Sequence, residues 1–155
     1  MNDPSIEHLI EVAKAATAVG STILEREYDE VHKGSKKLDI IQKTSAIDLV
    51  TEIDSNTQIA IVNAIQEHFP DHRFIGEEKG AEDLGDPDSP YEWIIDPLDG
   101  TTNFIHGKHS FGTIIGVQKD GILLAGAMHL PLLDQWFFGG KGAGAYFNDD
   151  TVTLR

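Results

Sequence analysis

Apolar residues recur every three or four positions along the first part of the chain, as they do on one face of an amphipathic helix. The stripe follows a polar start, Asp3-Pro4-Ser5, which is typical of a helix cap. Its members are Ile6, Leu9, Ile10, Ala13, Ala16, Gly20, Ile23 and Leu24. This spacing predicts one helix over residues 4–28.

A second helix is predicted from about Asp54 to His68, and Pro70 ends it. Between the two helices, residues 29–32 and 38–43 are predicted to be extended pieces, joined by the charged, glycine-containing turn at residues 33–37. This segment is therefore expected to form an exposed, mobile hairpin.

Short runs of β-type residues dominate from residue 73 onward, and an acidic loop at residues 79–90 separates the first two. The predicted strands are residues 73–76, 91–96, 111–119, 122–130, 135–138, 145–147 and 151–154. Because Asp120-Gly121 is a dipeptide favoured in tight hairpins, these strands are expected to pair antiparallel. Two helices followed by a run of strands predict an α+β fold with the helices packed on the sheet. With no linker or repeat, residues 1–155 are expected to form one domain.

Composition supports a folded domain, since 40% of the 155 residues are hydrophobic and 25% are charged. The net charge of −14 disfavours binding to nucleic acid or anionic lipid and favours cations. The absence of cysteine excludes disulfides, thiolate zinc sites, iron–sulfur clusters and cysteine nucleophiles, and it permits a cytoplasmic location. No signal peptide or membrane anchor is expected, because His129 and Pro131 interrupt the most apolar stretch, residues 121–133.

The densest group of polar residues follows the predicted strand that ends at Asp96. Pro97 and Gly100 allow a sharp turn, so Asp96 and Asp99 can converge on one point. Two carboxylates at a strand end suit Mg²⁺ or Mn²⁺, and the amides of Gly100 and Thr101 could face an anion if a helical turn starts there. The alternative is an ordinary β-turn with a capping threonine.

Three further acids and one lysine could join this group. Glu77 and Glu78 follow the strand at residues 73–76, although a solvated loop is the commoner reason for such a pair. Asp54 begins the second predicted helix, where capping is the alternative explanation. Lys43 is interpreted as a charge on the hairpin surface.

Two other motifs favour structural explanations. His106 and His109 are three residues apart, but without cysteine they are more typical of a surface loop near a substrate than of a zinc site. The glycines of residues 142–144 indicate a turn at a strand end, because a dinucleotide fingerprint requires a following helix.

The chain resembles the inositol monophosphatase family of lithium-sensitive sugar phosphatases. The resemblance lies in the order and spacing of Lys43, Asp54, Glu77-Glu78 and the run at residues 93–104. That run contains a tryptophan, two aliphatic residues and Asp-Pro-Leu-Asp-Gly-Thr-Thr-Asn-Phe. The segment at residues 142–148 resembles the family as well. Effectively the whole chain is similar to the family's amino-terminal half, which belongs to an αβαβα sandwich.

The resemblance implies two or three Mg²⁺ ions as cofactors. By it, Glu77, Asp96 and the Leu98 carbonyl would hold the first ion, and Asp96 and Asp99 would share a second. Glu78 would lie beside them, and Asp99 would also contact substrate.

The resemblance also implies the catalytic roles. Glu77 and Thr101 would orient and activate the attacking water, while the amides of Gly100 and Thr101 bind the phosphate. Asp54 would reach a metal ion or its water, and Lys43 would lie near a third ion. This agrees with the chemistry of phosphate esters, whose hydrolysis needs an activated water and neutralisation of phosphoryl charge.

The activity implied is Mg²⁺-dependent hydrolysis of inositol monophosphate or a related polyol or sugar phosphate. Alternatives are a nucleotide or fructose bisphosphate phosphatase and a catalytically incomplete metal-binding or interaction module. Family members are about twice as long and carry a Trp-Asp motif in their other half, whereas Trp93 and Trp136 precede Ile94 and Phe137 here. The expected partners are therefore a phosphate ester and either a second copy, forming a dimer, or a complementing carboxyl-terminal half.

Overall fold

The computed structural model describes residues 3–34 and 43–153, without the side chains of residues 43–45 and 83. The helices within these residues are α1 (Ile6–His32), α2 (Lys43–Gln66) and α3 (Thr101–Ile105). Single 3₁₀ turns occur at Ala81–Asp83 and Pro131–Leu133. None of the helices in the described ranges is long and apolar enough to cross a membrane.

Helix α1 begins at Ile6, two residues after the predicted start, and ends at His32 instead of residue 28. Ser5 caps its first turn by accepting a hydrogen bond from the backbone three residues later. The extended piece predicted at residues 29–32 is wrong, because Tyr28 and Val31 continue the buried face of the helix. Packing of these two side chains therefore favours another helical turn over a strand.

Helix α2 begins at Lys43, well before the predicted start at Asp54, and ends at Gln66. Its added turns bury an apolar stripe at helical spacing, formed by Ala46, Leu49, Val50 and Ile53. The strand predicted at residues 38–43 is therefore wrong at Lys43, whose backbone is helical. Residues 38–42 of that strand lie outside the described part of the chain, as do residues 35–37 of the turn predicted at residues 33–37.

Seven strands of the described residues form one sheet in which spatial order follows chain order. They are β1 (Arg73–Gly76), β2 (Tyr91–Asp99), β3 (Gly112–Lys119), β4 (Ile122–Leu130), β5 (Gln135–Gly140), β6 (Gly144–Phe147) and β7 (Asp150–Val152). Strand β1 pairs parallel with β2, and every other neighbouring pair is antiparallel. The predicted α+β fold with a mostly antiparallel sheet is therefore confirmed.

Helices α1 and α2 cover one face of the sheet. Trp93 and Ile95 of β2 and Val117 of β3 point into this interface and are at most 2% exposed. Such burial of large apolar side chains is the main source of stability in a domain of this size. The interface therefore holds the body of the core.

The opposite side of the sheet carries exposed apolar side chains at Ile75, Ile94, Leu123 and Phe137. These four line one shallow depression, which we call the open sheet face. The depression is also lined by Glu77 and Asp96, at the ends of β1 and β2. The predicted acidic residues therefore lie where the open sheet face meets the strand ends.

Candidate functional site

A β-bulge near the end of β2 brings two of the predicted aspartates to the same side of the sheet. Asp96 pairs with Ile114 and Asp99 with Gly112, so two residues of β2 stand opposite Thr113 alone. In a regular strand, residues three apart point to opposite faces, and one extra residue cancels that alternation. The bulged residues Pro97 and Leu98 are buried, while Asp96 and Asp99 are not.

The side chain of Thr113 provides a hydrogen-bond donor for a backbone carbonyl at the bulge. Its hydroxyl donates to the Pro97 carbonyl at 2.8 Å, and its side chain is fully buried. A buried carbonyl without a donor costs stability, so this bond stabilises the bulged backbone.

The chain then turns at Gly100 into the short helix α3. Gly100 has a φ of 86°, in the left-handed region that favours glycine, and a Cβ there would lie 2.7 Å from the Ser110 carbonyl oxygen. Thr101 begins the helix, which decides between the two alternatives in favour of a helical turn, and its hydroxyl lies 3.5 Å from the Leu98 carbonyl oxygen. The backbone N–H groups of a first helical turn have no partner within the helix, so they are available to an anion.

The parallel pairing of β1 and β2 brings Glu77 beside Asp96. Gly76 is the register partner of Ile95, and the Glu77 amide donates to the Ile95 carbonyl at 3.1 Å. The carboxyl ends of parallel strands lie at one edge of the sheet. The Gly-Glu-Glu segment and the second strand therefore present their acids together.

Asp54 reaches the same region from α2. Its side chain is only 6% exposed, and burial raises its pKa to about 7. The charges of Glu78 and Glu77 raise this pKa further, while a hydrogen bond with the Leu98 backbone opposes the change. Ser55, the next residue, donates a long hydrogen bond of 3.4 Å to Glu78.

Asp96 lies at the centre of the acidic group. Burial raises its pKa to about 8, and the Glu77 carboxylate is the next largest cause. Asp99 and Asp54 add smaller repulsive contributions. Glu77, Asp99 and Asp54 therefore lie near enough to Asp96 for their charges to act on its carboxyl group.

The donor chemistry of this acidic group fits a divalent cation. One carboxylate oxygen, Oδ1, of both Asp54 and Asp96 is buried without a hydrogen-bond partner. An unpaired buried carboxylate oxygen is costly, and a hard cation would satisfy it. Within residues 3–34 and 43–153, no three acidic or histidine side chains are grouped closely enough to hold a metal ion between them. Mg²⁺ commonly uses one or two carboxylates together with water and substrate phosphate, so the two orphaned oxygens suffice for the fit.

Other predicted residues lie away from this group or outside the described side chains. Lys43 is eleven positions before Asp54 on α2, a helical rise of about 16 Å. Its side chain is not among those described, so its predicted place near a third ion remains a prediction. His106 and His109 are both exposed, on the chain that connects α3 to β3.

Two residues with contacts to this region were missed by the sequence analysis, Thr113 and Gln58. Gln58 comes three and four positions before the core residues Ile61 and Val62 on α2, and Thr113 comes two positions before the core residue Ile115 on β3. Both polar residues are at most 3% exposed. A buried polar side chain requires a hydrogen-bond partner, so such interruptions of an apolar pattern were the available signal.

Comparison with known proteins gives a consistent result along the chain. A family model described as the inositol monophosphatase family matches residues 5–155. A protein named fructose-1,6-bisphosphatase/inositol-1-monophosphatase from Aquifex aeolicus is 36% identical over 97% of this chain and 54% of its own length. Inositol monophosphatase 1 from Solanum lycopersicum is 39% identical over 97% of this chain and 53% of its own length. A protein named Nus factor SuhB from Pasteurella multocida is 40% identical over 77% of this chain and 45% of its own length.

Solved structures show the same partial coverage. Inositol monophosphatase from Anabaena superposes with a TM-score of 0.76 and 28% identity, over 96% of this chain and 50% of that one. The extragenic suppressor protein suhB from Bartonella henselae superposes with a TM-score of 0.74 and 30% identity, over 95% of this chain and 54% of that one. The present chain therefore spans about half the length of the relatives it matches.

Proposed function

Because the chain belongs to the inositol monophosphatase family, we propose that it forms the metal-binding half of a Mg²⁺-dependent phosphomonoesterase. The substrate proposed is inositol monophosphate or a related polyol or sugar phosphate. The observation that carries the proposal is that Asp54 and Asp96 each bury one carboxylate oxygen without a hydrogen-bond partner, with Glu77 close to Asp96.

In this proposal the metal ligands are Glu77, Asp96, Asp99 and the Leu98 carbonyl. Asp54 would reach a metal ion or its water, and Glu78 would lie beside the ligands. Bound Mg²⁺ would neutralise charge on the phosphoryl group and make water a better nucleophile. Glu77 would orient and activate the attacking water.

The residues after the bulge would hold the phosphate. The left-handed conformation of Gly100 turns the chain into α3, and the amides of Gly100 and Thr101 donate to phosphate oxygens. The Thr101 hydroxyl, now 3.5 Å from the Leu98 carbonyl, is the second group proposed to orient the water. Asp99 is more exposed than Asp96 and would meet the substrate from solvent.

A phosphatase that prefers bisphosphates is the second candidate, because the Aquifex aeolicus relative is named for both activities. Two or three ions, lithium sensitivity, a cytoplasmic location and a dimer remain predictions. Since the chain spans half the length of its relatives, we also propose that a complementing carboxyl-terminal half is its partner in the complete site.

The direct test is release of phosphate by the 155-residue chain from inositol 1-phosphate and from fructose 1,6-bisphosphate, with and without Mg²⁺. We expect Mg²⁺-dependent release that Asp99→Asn removes, because that variant lacks a proposed ligand. Release without Mg²⁺ dependence would contradict the proposal. If release is absent while Mg²⁺ still binds, the chain is the incomplete metal-binding module and needs its other half.

Mg²⁺ binding itself is tested by thermal unfolding. A ligand that binds only the folded state raises the melting temperature, so Mg²⁺ should do so for the parent chain and much less for Asp99→Asn. Mg²⁺-free buffer with matched ionic strength provides the control for screening of the −14 charge. Equal shifts in the two proteins would overturn the assignment of Asp99 as a ligand.

A further inference from the structure

Gln58 makes two hydrogen bonds to the backbone of a single residue of the acidic site. Its Nε2 donates to the Glu78 carbonyl at 2.9 Å, and its Oε1 accepts from the Glu78 amide at 3.1 Å. The side chain is 3% exposed, so both bonds are shielded from water. We call this pair of bonds the Gln58 clamp.

The Gln58 clamp begins where strand pairing ends. The Glu77 amide still donates to Ile95 of β2, whereas the next amide, that of Glu78, donates to Gln58 on α2. The segment with both glutamates is thus tied to the sheet on one side and to the helix on the other.

Gly76 leaves the space that the clamp needs. A Cβ on Gly76 would lie 2.0 Å from Oε1 and 2.5 Å from Cδ of Gln58, so any side chain there would displace the amide. Since Gly76 is a regular strand residue without a positive φ, this close approach is the physical reason for a glycine at the position.

The helix that carries Gln58 also carries Asp54, one turn earlier and on the same side. Glu77 and Glu78 both repel the buried Asp54 charge, and Glu77 repels Asp96 as well. A loop with two carboxylates would relax away from the other acids if nothing held it. The Gln58 clamp opposes that movement with two neutral hydrogen bonds and adds no charge to the site.

We propose that Gln58 is a positioning residue, whose amide sets the spacing between Asp54 on α2 and the glutamates after β1. The inference rests on the proposed Mg²⁺ site, since its consequence is an acidic group held ready for a cation. Some residues do not touch a metal ion but hydrogen-bond to its ligands and orient them. Removing such a residue typically weakens metal binding by tenfold or more.

The test compares Mg²⁺ affinity, measured by titration calorimetry, in the full chain and in Gln58→Met. Methionine has a similar length but cannot make either bond. We expect Gln58→Met to weaken Mg²⁺ binding by fivefold or more. Val62→Ala, which removes a buried apolar side chain from the same helix, should keep its Mg²⁺ affinity within twofold of the parent. A loss below fivefold in Gln58→Met, or an equal loss in Val62→Ala, overturns the proposal.

Gly76→Ala provides a second route if Gln58→Met does not fold. Its methyl group should displace the Gln58 amide and weaken Mg²⁺ binding by a similar factor. Unchanged affinity in a folded Gly76→Ala protein contradicts the proposal.

Amide hydrogen exchange without Mg²⁺ separates this inference from the proposed function. The Glu78 amide should exchange at least tenfold faster in Gln58→Met than in the parent chain, because its acceptor is gone. If the parent does not bind Mg²⁺, the proposed metal site fails, and exchange alone decides whether Gln58 positions the glutamates. Unchanged exchange at Glu78 overturns the clamp whatever the metal does.

Discussion

At the scale of single residues, two kinds of ionisable side chain that are wholly or partly buried respond to pH in opposite directions. Because the pKa values of Asp54 and Asp96 are raised in the folded state, these two carboxyl groups lose their protons at lower pH in the unfolded chain than in the folded chain. Their contribution to the free energy of unfolding therefore falls as pH rises from about 4 toward 7 or 8. His72 behaves in the reverse way, because burial lowers its pKa to about 4. Its ring lies between Phe69 and Tyr91, with centroids at 4.4 and 4.6 Å.

His72 therefore gives a prediction about acid stability. The Trp93 indole donates to its Nδ1 at 2.9 Å, which requires that nitrogen to be unprotonated. Below about pH 6.5 the unfolded state takes up a proton that the folded state resists down to about pH 4, so His72 makes stability decline across this window. We expect the parent to lose about 1–3 kcal/mol between pH 6.5 and 4 relative to His72→Phe.

The measurement is urea unfolding of the two proteins across that range, with the difference in their free energies of unfolding as the readout. Taking the difference cancels the opposite contribution of Asp54 and Asp96. His106→Phe, at an exposed histidine, is the matched control and should follow the parent. Parallel curves for the parent and His72→Phe would show that the ring is protonated equally in both states.

At the scale of elements, the bulge of β2 is the feature that shapes the candidate site. A regular strand would have placed Asp99 on the helix-covered face, among the apolar residues of the core. The extra residue instead buries Pro97 and Leu98 together and leaves Asp99 beside Asp96. A bulge next to a functional group is a common device for directing a side chain.

Thr113→Val tests how far the bulge depends on one hydroxyl. Valine has the same shape but leaves the buried Pro97 carbonyl without its donor, so we expect a loss of about 1 kcal/mol in the free energy of unfolding. Thr113→Ser retains the donor and loses a methyl group, which separates the bond from packing. If Thr113→Val is as stable as the parent, another donor serves the carbonyl and this account of the bulge is wrong.

At the scale of the whole molecule, an acidic chain presents one apolar surface. The open sheet face exposes Ile75, Ile94, Leu123 and Phe137, while the net charge is −14. Contiguous apolar surface of this kind is typical of an interface. The chain spans 54% and 53% of the length of two of its relatives.

The chain alone should therefore self-associate through the open sheet face. We expect Leu123→Glu to shift the sedimentation profile toward monomer, because it places a charge on that face. Ile47→Glu is the matched control, since Ile47 is 64% exposed on α2 and Leu123 is 61% exposed on β4. A parent that sediments as a stable monomer at all concentrations would contradict the expectation.

The sequence by itself determined the elements whose signals are local. Strands β1 and β4 agree with prediction at both ends, and residues 96–101 alone predicted the sharp turn at Gly100, with a helical turn after it as one of two alternatives. The family was also identified in this way, because the run at residues 93–104 is contiguous and its spacing is specific. Local patterns suffice where neighbouring residues along the chain decide the conformation.

Only the tertiary structure decided the features that depend on residues far apart in the chain. The first turns of α2 replace a predicted strand because the stripe from Ala46 to Ile53 is buried against other elements. Asp96 and Asp99 share one side because β3 pairs with a bulged β2, and Glu78 is held by Gln58, twenty positions earlier. These outcomes depend on which groups become buried and must find partners, a condition that exists only once the chain has folded.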